Sequence, residues 1–467
     1  MHRFPVPASL IALAVLVAAP APAQDRPPNI LFIAVDDLND WVGHLAGHPQ
    51  TSTPNIDRLA RRGVSFTRAY APAPLCNPSR VSLLSGVLPS KSGVYGNGER
   101  FREKLPDAVT LMQHLRAHGY TTQGGGKIFH GRTAGDPDSW DEYYTPARPR
   151  GARHIGERQE HVPESAWAPW GPLDVDDAEM FDVRVVDWTI GELNKPREKP
   201  FFLACGFTKP HLPWYVPRKY FEMHPLDAIE LPETLDTDRD DLPAFGKKLA
   251  AEVYAISNSR NFSRHGEDHA MVLKHKQWHR AVQSYLATIS FVDAHVGRLL
   301  DALDASEHAG NTIVVLWGDH GWHLGQKQHW RKHALWEVAT RTTLIISLPA
   351  ATRPGATSPR PVSLIDLYPT LVELAGVPGR SGLDGQSLVP LLEDPASEWP
   401  RPVLTTYGYG NHSVRTERWR YIEYHDGGQE LYDHDADPNE WTNLASRAEY
   451  AAVVEELAAF VPRTSAR

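Results

Sequence analysis

Four stretches of this chain are apolar almost without a break: residues 29–35 (NILFIAV), 201–207 (FFLACGF), 311–317 (NTIVVLW) and 344–348 (LIISL). Runs of this length without alternation predict strands buried on both faces of a parallel sheet. Between them the apolar period changes to that of a helix. One helix is expected to open at Thr53, with Thr53 as its cap and Pro54 in the first turn. Others are read over 110–118, ended by Gly119, over 177–193 and over 281–303. A short strand at 120–123 runs into Gly124-Gly125-Gly126-Lys127. Strands alternating with helices predict an α/β fold, a large mostly parallel mixed sheet flanked by helices. Residues 225–278 are polar and poorly periodic, which predicts a long insertion of the kind that usually carries function or moves. After 383–392 (LDGQSLVPLL) the texture changes. Short strand-like pieces at 403–409, 413–415, 419–424 and 430–432 precede a closing helix at 449–460, and Asp426-Gly427-Gly428 suits a hairpin turn. These pieces predict a small C-terminal antiparallel-sheet subdomain over 396–467, after a large α/β domain over 24–395.

The N-terminus changes the picture of where the protein works. Met1-His2-Arg3, an apolar run from Leu10 to Ala19 and Ala21-Pro22-Ala23 before Gln24 have the layout of a secretory signal peptide over 1–23. An exported protein, periplasmic or extracellular, is expected. The apolar run falls short of the ~20 residues that cross a bilayer, so no membrane span is expected. Removing 1–23 takes away one charge, Arg3, and the net charge of −9 becomes −10. That balance argues against nucleic acid as a partner, because phosphate binding needs a basic face. It leaves room for a polyanionic substrate in a local basic pocket. Two cysteines in an exported chain would ordinarily bond to each other. Cys205, however, lies inside a strand-like run, where a free cysteine acts as a small hydrophobe. Both cysteines are expected to be unpaired.

Candidate chemistry gathers where the apolar runs end. Asp36-Asp37 follows the first run and Asp319-His320 the third. Ligands of open α/β sheets bind at the carboxyl ends of strands. Three carboxylates with an imidazole suit a hard divalent cation such as calcium, while the imidazole also admits a transition metal. Lys127 and His130, Lys209 and His211, and Lys332 follow other predicted strands or turns. With Arg80 they offer several cations and imidazoles to one tetrahedral oxyanion. Fourteen tryptophans, among them Trp140, Trp167, Trp170 and Trp214, are candidates for stacking on sugar rings, or for plain packing.

Cys76-Asn77-Pro78-Ser79-Arg80, with Ser85-Gly86 behind it, resembles the C-x-P-S-R signature of the type I sulfatases. The likeness runs nearly end to end. It includes VDDL at 35–38, TPNIDRLA at 53–60, GKIFH at 126–130, KPHLP at 209–213 and SFVD at 290–293. It continues with GDHGW at 318–322, LDGQSL at 383–388 and WRYI at 419–422. The GKxFH and DHG forms resemble the iduronate-2-sulfatase-like branch, within the alkaline phosphatase superfamily. One departure is Val87, which follows Ser85-Gly86 where the family often has arginine.

The resemblance implies that a separate maturation enzyme oxidises Cys76 to formylglycine, whose hydrate attacks the sulfur of a sulfate ester. It implies one calcium ion held by Asp36, Asp37, Asp319, His320 and the modified Cys76. Arg80, Lys127, His130, His211 and Lys332 map to sulfate binding and proton transfer, and Lys209 is expected to help bind substrate. Lys332 with His211 would serve the leaving alcohol, and His130 would be the base. The expected substrate is a sulfated saccharide. Phosphonate and phosphate ester hydrolases of the superfamily are the enzymatic rivals, and a non-catalytic glycan-binding relative is the third reading.

Overall fold

The computed structural model describes residues 26–131, 135–146, 170–251, 268–349 and 353–466. The expected signal peptide and Trp167 lie outside them. Among the described residues eight strands form the central sheet: β1 (Asn29–Asp36), β2 (Val64–Phe66), β3 (Thr121–Gly126), β4 (Glu142–Tyr144), β5 (Phe201–Pro210), β6 (Thr312–Gly318), β7 (Leu344–Ser347) and β8 (Ala356–Ser358). Their order is β8-β2-β7-β6-β1-β5-β3-β4. β7, the 344–348 run, alone runs against the others and is antiparallel rather than parallel, so the sheet is mixed but mostly parallel, the fold class expected.

The strands β1, β5 and β6 are apolar throughout because both their faces are covered. Leu31, Ile33 and Val35 join Leu203, Cys205, Val314 and Leu316 on one face, under α1 (Pro54–Arg62), α4 (Phe181–Leu193) and α5 (Trp278–Ala305). Ile30, Phe32 and Ala34 join Phe202, Ala204, Ile313, Val315 and Trp317 on the other, under α2 (Cys76–Ser85), α3 (Leu111–Ala117) and α6 (Leu367–Leu374). Each fully buried Leu, Ile, Val or Phe contributes roughly 1.5–3 kcal/mol. Both cysteines are free and buried, Cys205 in the first of these cores.

Two local expectations need correction. β3 does not stop at residue 123 but continues through the glycines to Gly126. The glycines are there for room. A Cβ on Gly124 would sit 2.8 Å from the Trp140 ring, and one on Gly126, at φ +80°, would sit 2.0 Å from the Gly206 carbonyl oxygen. Close approach to β5 is what delivers Lys127 to the strand ends. The second correction is the cap of α1. Thr53 makes no cap bond; its Oγ1 accepts from Gly43 N at 2.7 Å. Asp293, midway along α5, does the capping instead. Its Oδ1 accepts from Asn55 N at 3.0 Å and Ile56 N at 2.8 Å. Asp293→Ala is expected to lower stability by about 1–2 kcal/mol, read as a fall in melting temperature. An unchanged melting temperature would mean that water serves those amides equally well.

The 225–278 region is not uniformly irregular, since it contains the helices Ala244–Ala250 and Asp268–Lys274. The C-terminal sheet runs β9 (Val403–Thr406), β10 (His412–Arg415), β11 (Trp419–Glu423) and β12 (Gln429–Asp433), antiparallel and in chain order. Gly427, at φ +85°, turns the hairpin between the last two. The closing helix α7 (Ala451–Ala458) is preceded by a single 3₁₀ turn. Ile422, Tyr424 and Tyr432 pack against Leu335, Trp336 and Ala339. The small sheet is therefore seated on the segment just after Lys332. Among the described residues no helix is long and apolar enough to cross a membrane.

Candidate active site

The carboxyl ends of β1, β3, β5 and β6 converge with the first turn of α2. Successive strand residues point to opposite faces, so Asp36 and Asp37 could not share one site on a regular strand. The register of β1 against β5 shifts between Val35 and Asp36, and Asp37 takes a left-handed φ of 61°, which a short acidic side chain tolerates. Asp37 N donates to Asp319 Oδ1 at 2.9 Å, and the Asp37 carbonyl accepts from Tyr285 OH at 2.7 Å. Both aspartates, with Asp319 and His320, are fully buried.

Cys76 and Arg80 lie one turn apart on α2, on the same face. The Arg80 guanidinium spreads over the site. Nε donates to Asp319 Oδ2 at 2.8 Å, Nη2 to Asp36 Oδ1 at 3.2 Å, and Nη1 to the carbonyls of Lys127 and, at 2.9 Å, Ile128. The Trp317 ring lies 5.3 Å away. Lys127 Nζ donates to Asp36 Oδ2. Lys332 Nζ donates to Asp37 Oδ1 at 2.6 Å and to Cys76 Sγ at 2.9 Å, and sits 5.4 Å from the Trp322 ring. His320 Nε2 is 3.4 Å from Cys76 Sγ and 3.3 Å from Asp37 Oδ1. His211 Nε2 lies 3.9 Å from Asp37 Oδ2, with its side chain 33% exposed. It stands between the buried cluster and solvent.

The remaining expected residues are placed further out. His130 is half-buried, and its Nδ1 has no hydrogen-bond partner among the described residues. Lys209 has partners at its own strand end. Its ammonium donates to the Pro213 carbonyl, and its backbone N donates to Asp182 Oδ2 at 2.9 Å. Of the tryptophans singled out for sugar stacking, the three among the described residues are buried packing residues: Trp170 and Trp214 stack on each other at 5.4 Å, and Trp140 is 6% exposed. Sequence reasoning gave no role to Ser79, whose Oγ donates to the Asp319 carbonyl at 2.6 Å, or to Tyr285. Ser79 was visible inside the C-x-P-S-R motif. Nothing local marks Tyr285, which comes from the first third of α5.

The electrostatics follow from this packing. Burial pushes Asp36 up, but Lys127, Arg80 and Lys332 outweigh it and hold the carboxyl well below its usual range. Burial raises Asp37 to about 7, against Lys332 and with the help of Asp36 and Asp319. Burial pushes the Cys76 thiol up to about 12, despite Lys127 and Lys332. A thiol kept protonated is a poor nucleophile. Burial, then Lys127, lowers His130 to about 4, and His211 is lowered well below its usual value for the same two reasons. Both imidazoles are thus neutral, each with one ring nitrogen to accept a proton and one N–H to donate.

The donor set fits a divalent cation. Asp36, Asp37, Cys76 and His320 each offer one ligand atom, all within 4.8 Å of one another. Asp37 Oδ2 is buried without a hydrogen-bond partner, and burial and neighbouring carboxylates have raised its proton affinity. A cation would answer both conditions. Burial lowers His320 to about 3, which leaves its imidazole free to ligate. Three carboxylates here face three cationic side chains, Arg80, Lys127 and Lys332. An added divalent ion would leave the pocket net positive, which suits an anionic ester.

Comparisons with known proteins agree with this arrangement. The family model described as "Sulfatase" matches residues 28–377, and that of "N-sulphoglucosamine sulphohydrolase, C-terminal" matches 318–466. A sulfatase of Formosa agariphila is 38% identical over 463 residues, covering 94% of this chain and 87% of that protein. Human iduronate 2-sulfatase is 30% identical, over 75% of this chain and 69% of its own length. The solved phosphonate monoester hydrolase of Silicibacter pomeroyi superposes with a TM-score of 0.76 over 92% of this chain and 94% of its own, at 22% identity, a likeness of fold. A family match across three quarters of the sequence, whose motif residues the fold gathers at one set of strand ends, shows that this chain belongs to the sulfatase family of sulfuric ester hydrolases.

Proposed function

We propose that this protein is an exported sulfatase that removes a sulfate ester from a saccharide, using a formylglycine made from Cys76 by a separate maturation enzyme. The observation that carries the reading is the surrounding of Cys76. Its sulfur lies in the first turn of α2 between Lys332 and His320, beside Asp37 and one turn from Arg80. Hydrated formylglycine at 76 would supply one hydroxyl to attack sulfur and a second whose deprotonation releases sulfate. Calcium, held by Asp36, Asp37, Asp319, His320 and residue 76, would supply positive charge to the sulfuryl oxygens. Arg80 and Lys127 fix the carboxylates that hold that charge. Lys332, with its ammonium on the atom to be modified, and the half-open His211 neutralise the alkoxide of the departing alcohol. His130, neutral and lacking a hydrogen bond at Nδ1 among the described residues, takes the proton of the second hydroxyl.

Two measurements test the reading. Intact mass of the exported protein should show residue 76 as an aldehyde in place of a thiol. A screen of defined sulfated oligosaccharides should then give free sulfate. Mass unchanged at 76, with no sulfate released from any substrate, would leave the glycan-binding reading. The fold likeness to a phosphonate monoester hydrolase favours one rival, a phosphonate or phosphate ester hydrolase using the same site. Rates on matched aryl sulfate and aryl phosphate esters separate the two, and a faster phosphate reaction would favour the rival.

Calcium should also act as a native-state ligand. At 100 times its Kd it would add about 2.7 kcal/mol, a rise of a few degrees in melting temperature that a chelator reverses. Asp37→Asn should blunt that rise. If chelation and readdition move neither melting temperature nor activity, the cation does not bind at these residues.

A further inference from the structure

The helix that carries residue 76 begins without a cap of its own. Leu75, the residue before α2, has extended backbone at φ −162° and ψ 138° and makes no side-chain cap bond. The first amides of a helix have no partner within it and need one from outside. In α2, Pro78 has no N–H, and Ser79 N reaches the Leu75 carbonyl at 3.1 Å. The amides left at the helix start are those of Cys76 and Asn77. Asn77 N donates to Asn97 Oδ1 at 3.0 Å, so a loop 20 residues further on supplies the cap.

The bond is answered from the other side. Asn77 Nδ2 donates to the carbonyls of Gly96 and Glu99 at 2.8 and 2.9 Å. Glu99 gives the loop its shape, its Oε2 accepting from Tyr95 N and, at 3.0 Å, from Gly96 N. The Tyr95 hydroxyl donates to the Ala466 carbonyl at 2.7 Å and ties the loop to the segment after α7. Asn77 is buried, whereas Asn97 is exposed.

The two ends of the motif are therefore held by different parts of the molecule. Ser79 and Arg80, in the second turn, are fixed to Asp319 and Asp36 at the strand ends. The first turn is fixed to the 95–99 loop. Loosening the first turn would leave the second in place but would swing residue 76. The sulfur there stands 2.9 Å from Lys332 Nζ and 3.4 Å from His320 Nε2. A misplacement of ~1 Å in a reacting group can cost ~10²-fold in rate. We propose that Asn97 is a positioning residue of the sulfatase reaction: by capping the first turn of α2 from a separate loop, it fixes the direction in which the reacting group of residue 76 points. The inference rests on the reading of residue 76 as the nucleophile. Because Asn97 is exposed, its truncation opens no cavity in the core, and the effect on rate should exceed the effect on stability.

The test compares Asn97→Ala and Asn97→Asp with wild type on one aryl sulfate, well below all their melting temperatures. Intact mass gives the fraction of each protein that carries the aldehyde at 76, and rates are expressed per converted enzyme. Asn97→Ala should lose about 10- to 100-fold in kcat with KM within about twofold of wild type. Its melting temperature should fall by no more than about 3 °C. Asn97→Asp keeps an oxygen for Asn77 N and places a negative charge at a helix N-terminus, where it is favoured. It should bring kcat back to within about threefold of wild type. Wild-type kcat in Asn97→Ala would overturn the proposal. So would an Asn97→Asp enzyme as slow as Asn97→Ala, since the cap bond would then be incidental. A raised KM with unchanged kcat in both variants would overturn it in favour of a direct contact with substrate. A wild type that keeps the thiol at 76 and releases no sulfate would instead sink the proposed function, and this inference with it.

Discussion

Cys76→Ser is expected to lose turnover by roughly 10³-fold or more while keeping its fold. The two halves of that expectation have different causes. The Cys76 sulfur is buried and accepts from Lys332 Nζ at 2.9 Å. A serine hydroxyl can accept the same bond from the same place, so stability should stay within about 1 kcal/mol. Chemistry should not survive. A serine offers one hydroxyl, and after the sulfuryl group is taken up no second hydroxyl remains to release it. The matched control is Cys205→Ser, the same exchange in the core of β5. That variant should keep its turnover and lose about 1–3 kcal/mol, because a hydroxyl replaces a thiol among apolar side chains. Initial rates on an aryl sulfate and thermal melts read both variants. A Cys76→Ser enzyme with more than a few per cent of wild-type rate would rule out the formylglycine mechanism.

The contrast between the two cysteines was legible in the sequence, because each sits in a different local pattern. Cys205 lies in an unbroken apolar run, and such runs also announced β1, β5 and β6. Continuous burial leaves a continuous signature. The carboxylates were legible for a related reason, since polar residues directly after such a run must lie at a sheet end. Elements set by fit rather than by hydrophobicity were harder to read. β3 reads as a broken strand because its last three residues are glycine, and only the nearness of Trp140 and the Gly206 carbonyl explains them. The cap of α1 is a residue 240 positions from the expected one, and no local rule links Asp293 to Asn55. Lys209 and His211 lie two residues apart after one strand, yet one ammonium folds back onto a carbonyl while the other imidazole faces the carboxylates. Proximity in sequence said that both reach the strand end. It did not say which way each side chain turns there.

Arg80→Lys should be nearly as damaging as loss of the charge altogether, even though lysine keeps it. Arg80 is fully buried and acts as a fork. Its guanidinium reaches Asp319 and Asp36 on one side and two backbone carbonyls, of Lys127 and Ile128, on the other. A lysine ammonium is a point donor on a flexible stem and cannot span these four acceptors. At least one buried carboxylate or carbonyl would then be left without a partner, at about 1–3 kcal/mol for each such group. Arg80→Met goes further and removes the compensating charge, and breaking a buried pair from one side costs about 3–5 kcal/mol. The order of melting temperatures should therefore be wild type, then Arg80→Lys, then Arg80→Met. Turnover should follow a different pattern. Arg80 positions Asp319 and Asp36, and through its carbonyl bonds it also fixes the chain at Lys127. Misplacing these groups together should cut the rate by roughly 10²-fold or more in both variants. An Arg80→Lys enzyme with wild-type stability and rate would mean that charge alone matters at this position, and that the forked geometry is incidental.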